Sequence, residues 1–162
     1  MFFQVALANT PSDAPVAGTQ LSGSATLRFL GMEVYQAQLW VRPGFSPRTW
    51  AEQPLALELR YARSFPAKAI AERSLEEMQR QQPLTEAQTS RWRAELMAAL
   101  PDVSAGDRLV GQYEPGAGLR FFFNGKTIGR VDDPLFARLF IGIWLSPQSS
   151  EPTLRAALLG AA

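Results

Sequence analysis

Neither cysteine nor histidine occurs in the 162 residues of this chain. Without cysteine there is no disulfide and no thiolate nucleophile. Without histidine there is no imidazole base, and the common zinc ligand sets are excluded. Any acid–base chemistry falls to Asp, Glu, Lys, Tyr or Arg. A dominant charge is also missing: 16 Lys and Arg stand against 15 Asp and Glu, for a net charge of +1. No basic stripe with interleaved aromatics runs along the chain, so no nucleic-acid partner is expected, and the charge pattern does not call for an anionic membrane. No apolar run reaches the roughly 20 residues of a membrane-spanning helix. Phosphate loops, dinucleotide fingerprints and nucleophile–base pairs are absent, and no metal or cofactor is expected.

What is present is an ordinary globular composition, 46% apolar and 19% charged, in a chain long enough for one domain with a real core. The start is unusual. Met1–Ala8 reads MFFQVALA, and Ala6-Leu7-Ala8 resembles the small-x-small end of a secretory leader that lacks its charged start and most of its apolar core. Residues 1–20 are therefore read as a flexible N-terminal segment and leader remnant, with Asn9–Gln20 poorly ordered, and residues 21–162 as a single domain. An exported, periplasmic protein is expected if the true start lies upstream, and a cytoplasmic one if the chain is complete as written.

The most legible stretch is Gly106–Leu145. A strand of aromatic character ends at Asn124-Gly125, a pair suited to a type I′ turn, and the chain returns through Lys126–Val131. Asp133-Pro134 then supplies a cap and a first-turn proline. Behind it Phe136, Leu139, Phe140, Ile143 and Trp144 recur at helical spacing. Upstream, Leu21–Leu30 and Glu33–Val41 read as a hairpin turned at Leu30-Gly31, and Arg42–Pro54 as a loop. Leu55–Arg63 is a strand whose apolar face (Leu55, Leu57, Leu59) ends in Tyr61 and Arg63. Pro66 opens a helix to about Gln81 with Ile70, Leu75 and Met78 on its buried side. On its other face Glu72, Arg73, Glu76, Glu77 and Arg80 read as solvated. Thr85 and Gln88 form a capping box for a second helix that buries Trp92 and Leu96. A last helix, Glu151–Leu159, is expected to be capped by Ser149 or Ser150. Three strands, two helices, three strands and two helices indicate an α+β fold with one largely antiparallel sheet.

Several ordered stretches together resemble the bacterial chalcone isomerase-like family: LRFLGMEVYQAQLW, PLALELRYARSF, AERSLEEMQRQ, PDVSAGDRLVGQYEPGAGLRFFFNGKTIGRVDDPLFARLFIGIWL and EPTLRAALLG. The resemblance spans about Ser22 to Gly160. It implies an open-faced β-sandwich, a curved antiparallel sheet with helices layered on one face. The family includes plant enzymes that close a chalcone into a flavanone and non-catalytic relatives, some of which bind fatty acids. The plant enzymes' hairpin arginine is matched by Arg28 and their strand threonine by Gln36. Their helical tyrosine falls at Ala69 or Ile70, neither of which can orient water or stabilise an oxyanion, and their asparagine falls near Ser74–Glu77. The resemblance therefore points to a non-catalytic domain holding a small apolar acid, such as a fatty acid, in a sheet–helix cleft. Arg28, Gln36, Tyr61 and Arg63 are the expected ligand-binding residues, and Tyr35, on the opposite pleat to Gln36, is expected to be packing. The alternatives are an isomerase or intramolecular lyase using Arg28 with Tyr61, and a partner-binding protein whose cleft its own side chains fill.

Overall fold

The structure is a computed structural model, which describes residues 14–160; the leader-like stretch Met1–Ala8 lies outside them. Six strands form one antiparallel sheet in sequential order: β1 (Gln20–Phe29), β2 (Met32–Val41), β3 (Leu55–Tyr61), β4 (Arg108–Glu114), β5 (Gly118–Phe123) and β6 (Lys126–Val131). Between β3 and β4 the chain makes α1 (Ala67–Gln79) and α2 (Glu86–Ala99), and after β6 come α3 (Pro134–Leu145) and α4 (Pro152–Leu159). The sequence-derived order and the open-faced α+β sandwich are both observed. All four helices serve one face of the sheet: α4 packs on β1 and β2, α3 on β4 and β5, and α2 on β6, while α1 bridges α2 and α3.

The local rules behind these elements are visible in the geometry. Thr85 and Gln88 make the full capping box, with the Gln88 amide donating to Thr85 Oγ1 at 3.0 Å and the Thr85 amide donating to Gln88 Oε1 at 2.9 Å. Asn124 and Gly125 both have positive φ, 50° and 88°, as a type I′ turn requires. Asp133 Oδ1 accepts from the amides of Leu135 and Phe136, and α3 starts at Pro134. Behind the cap, α3 runs through the middle of the core, where Phe140 meets the rings of Phe121, Phe136 and Trp144 at centroid distances of 5.4–5.7 Å. Such aromatic contacts add to the area they bury.

Three local expectations are corrected. Arg42–Pro54 is not all loop: Pro47–Glu52 form 3-10 turns that bury Trp50, fixed by the amide of Gln53, which bonds Ser46 and Thr49. The segment before β1 is packed from Ala14 on, since Ala14 and Val16 cover Trp40, Ala56 and Val110 on the face of the sheet away from the helices. Neither Ser149 nor Ser150 takes the Ncap position of α4; it is Glu151, whose side chain makes no capping bond.

One glycine sets how closely α4 lies on the sheet. A Cβ on Gly23 would run into the Ala157 carbonyl oxygen, so only glycine allows this approach. Beside it Ser22 Oγ donates to the Leu158 carbonyl at 3.0 Å, tying β1 to the last turn of α4.

Candidate functional site

The helices do not close fully on the sheet. A cavity of about 430 Å³ lies between the first three strands on one side and α1, α3 and α4 on the other, within the range of about 300–1,000 Å³ usual for small-molecule sites. Its walls follow from strand alternation. Leu27 and Phe29 of β1, Tyr35 of β2, and Leu59 and Tyr61 of β3 share the helix-facing side and line it. Ala69, Ile70 and Ser74 of α1 line the opposite wall, and their modest size leaves the space. Phe140, Ile143 and Trp144 of α3 and Leu154 of α4 complete the apolar lining. The sheet–helix interface is thus not filled by the side chains of the described residues.

Polar groups converge on this apolar space from two sides. On the sheet side are the phenols of Tyr35 and Tyr61, edge to face at 5.7 Å. Trp144 Nε1 donates to the Tyr35 hydroxyl oxygen at 2.8 Å, which holds the indole against the wall and leaves the phenol proton free to donate elsewhere. The Tyr61 side chain is almost fully buried, and its hydroxyl, without a hydrogen-bond partner among the described residues, is not sealed off but opens on the cavity. Burial pushes the Tyr35 phenol up to about 12, with the Trp144 indole working against the shift. Burial, then the neighbouring Tyr35, raises Tyr61 as well. Both are neutral donors at ordinary pH and are poorly suited to act as bases.

On the helix side are Arg73, Glu77, Ser150 and Glu151. Glu77 is buried; its carboxylate accepts from Ser150 Oγ at 2.6 Å and pairs with Arg73 at 3.2 Å. The solvated face expected for α1 is therefore correct for Arg73, Glu76 and Arg80 but not for Glu77. The signal is present in the spacing, because Ile70, Ser74 and Glu77 recur at i, i+4 and i+7, one stripe of a helix whose polar members also turn inward.

Two of the four expected ligand residues line the cavity, and two do not. Tyr61 and Arg63 both line it. Arg63 is exposed and, among the described residues, makes only a weak contact to Met32 Sδ at 3.4 Å. Arg28 and Gln36 lie on the other face of the sheet, so their placement in the cleft is corrected. Gln36 stands between Thr26 and Arg60 in the register, exposed and away from the helices. Arg28 opposes Glu33 and pairs with it at 3.5 Å, with both side chains more than half exposed. The cause is pleat parity: the helices cover the face that carries Tyr35, which puts Gln36 outside. Tyr35, expected as packing, lines the cavity.

Among the described residues no group of acidic side chains is arranged to hold a metal ion, and no helix is long and apolar enough to cross a membrane. The family model for chalcone isomerase-like proteins matches residues 3–160. The chain belongs to the chalcone isomerase-like family. An uncharacterized protein of Haemophilus influenzae is 31% identical over 156 residues, 96% of this chain and 75% of that protein. Among solved structures, an Arabidopsis thaliana fatty-acid binding protein superposes with a TM-score of 0.66 over 88% of this chain and 87% of its own, at 10% identity. At that identity the likeness is one of fold. Within this chalcone isomerase-like fold the cavity lies between the first hairpin and the helices, at the positions where Ala69 and Ile70 stand.

Proposed function

We propose that this chalcone isomerase-like domain binds a small apolar acid, a fatty acid or a molecule of that kind, in the sheet–helix cavity, and that it does so without catalysis. The observation that carries the reading is the pairing of an apolar cavity with one cation at its edge that no acid among the described residues neutralises. Arg73 is matched by Glu77 and Glu76. Arg63 has no carboxylate within ion-pair distance among the described residues. A guanidinium at the rim of an apolar space suits a carboxylate head whose tail lies inside. The neutral Tyr61 phenol, without a partner among the described residues, is a second donor for that head-group.

The Arabidopsis neighbour's description as a fatty-acid binding protein supports the reading by analogy of fold alone. An isomerase built on Arg28 is disfavoured, because Arg28 lies on the outer face. Ala69 and Ile70, where the plant enzymes carry their helical tyrosine, line the cavity without a hydrogen-bonding side chain.

The test is native mass spectrometry of the gently purified protein, followed by titration of delipidated protein with palmitate. A co-purifying fatty acid and a rise in melting temperature are expected. Arg63→Ala should weaken palmitate binding by about tenfold, the value of one charge-assisted contact at a solvated rim. No bound lipid together with no thermal shift would refute the proposal.

A further inference from the structure

The β1–β2 hairpin ends in an apolar tip that nothing among the described residues covers. Phe29 is 68% exposed, Leu30 85% and Met32 49%. The two-residue turn between the paired Phe29 and Met32 is Leu30-Gly31, and both residues have positive φ, 52° and 79°. The same turn geometry at the β5–β6 hairpin is occupied by Asn124-Gly125, the sequence this turn favours. Leucine is a poor choice there. It strains the backbone in the left-handed region and projects a large apolar side chain into water. The Leu30 side chain is left 85% exposed, so little burial offsets either cost.

The surroundings indicate what would offset it. Arg28 and Arg63 flank the tip, one on the outer face and one at the cavity rim, with Glu33 the acid that opposes Arg28. Arg60 stands farther back on the outer face without an ion pair among the described residues. A protruding apolar tip flanked by two guanidiniums and a single carboxylate, a local charge of about +1, matches a surface that is soft, apolar beneath and negatively charged above. We infer that the Phe29–Leu30–Met32 tip is a docking element for an anionic lipid bilayer. Leu30 and Met32 enter the interface, and Arg28 and Arg63 rest on the head-groups. Phe29 belongs both to the tip and to the cavity lining, so docking places the cavity mouth against the membrane. The docking does not require the cavity to hold a fatty acid, and it is tested without one.

The experiment is co-sedimentation of the full chain with vesicles of phosphatidylglycerol and phosphatidylcholine, and with phosphatidylcholine alone. The wild type should partition onto the anionic vesicles and be released by salt. Leu30→Asn restores the favoured turn residue, so the protein should melt no lower than the wild type, while partitioning falls by about tenfold or more, as expected for one leucine withdrawn from an apolar phase. Arg28→Gln, which leaves the cavity untouched, should reduce partitioning about fivefold, the value of one cation near an anionic surface. Failure of the wild type to sediment with anionic vesicles, or equal partitioning of Leu30→Asn, would overturn the inference. So would a Leu30-dependent dimer, seen by sedimentation velocity, in a protein that ignores vesicles.

Discussion

Asp133 divides two tasks between its two carboxylate oxygens, and each can be removed separately. Oδ1 accepts from the amides of Leu135 and Phe136, both at 3.1 Å, and so caps α3. Oδ2 accepts from Trp92 Nε1 at 3.0 Å and from Arg91 at 2.9 Å. Asp133→Ala removes both. Loss of the cap costs about 1 kcal/mol. The Trp92 indole, fully buried, is then left with an orphaned donor at a cost of about 1–3 kcal/mol. The Arg91 ion pair adds little, because that side chain is largely exposed. A loss of about 2–4 kcal/mol in a domain of this size lowers the melting temperature by roughly 4–16 °C. Asp133→Asn separates the tasks. Its amide oxygen still caps the helix, but an NH₂ now faces the indole N–H, so about 1–3 kcal/mol is lost. The order expected in thermal melts, from most to least stable, is the wild type, the asparagine variant and the alanine variant. Acid should narrow the first gap. Burial alone would raise the Asp133 pKa, but the Phe136 amide, the Trp92 indole, Arg91 and the Leu135 amide outweigh it and hold the carboxyl below its usual 3.8. A depressed folded-state pKa stabilises the fold above the unfolded value, and this contribution fades as pH falls through the folded one. The advantage of the native aspartate over the asparagine variant is thus full near neutrality and shrinks below about pH 4. An asparagine variant as stable as the wild type at pH 7 would refute the division of labour.

The two cavity phenols should respond differently to loss of their hydroxyl groups. Tyr35→Phe strips the Trp144 indole of its acceptor and should lower stability by about 1–3 kcal/mol, measured by urea unfolding. Tyr61→Phe removes a hydroxyl with no partner among the described residues, so stability should change by less than about 0.5 kcal/mol while palmitate binding weakens in the same titration used for Arg63→Ala. Gly23→Ala forces a methyl into the Ala157 carbonyl and should cost about 1–3 kcal/mol as β1 and α4 separate; unchanged melting would show that this contact can yield freely.

How much of the fold is legible from the sequence depends on the range of the signal. The Asn124-Gly125 turn, the Thr85–Gln88 box, the Asp133 cap and the α3 stripe are settled within a few residues, and each stands where the sequence places it. The burial of Trp50 is not legible, because the 3-10 turns that hold it are short and proline-led. They resemble a loop until Tyr113, whose hydroxyl donates to the Ala51 carbonyl at 2.6 Å, is brought alongside. Ser150 reads as a cap because serine before a proline-led helix suits that position. Its hydroxyl is instead claimed by Glu77, 73 residues earlier in the chain, a partner that no local pattern announces.

The site is harder to read for a further reason. Alternation shows that Tyr35 and Gln36 face opposite ways, but not which face the helices will cover. That choice rests on non-local packing: α4 reaches β1 at Gly23, and the Trp144 indole reaches the Tyr35 hydroxyl from 109 residues away. Once helices cover the Tyr35 face, Gln36 goes outward with its cross-strand partner Thr26, and Arg28, two residues beyond Thr26 on the same strand, goes with them. Tyr61 and Arg63 are legible because they extend an apolar stripe, Leu55–Leu57–Leu59, whose burial its own composition demands. A polar residue continuing an apolar stripe is therefore a firmer guide to a cavity than a polar residue on a polar one. Glu77, behind Ile70 and Ser74 on α1, follows the same rule.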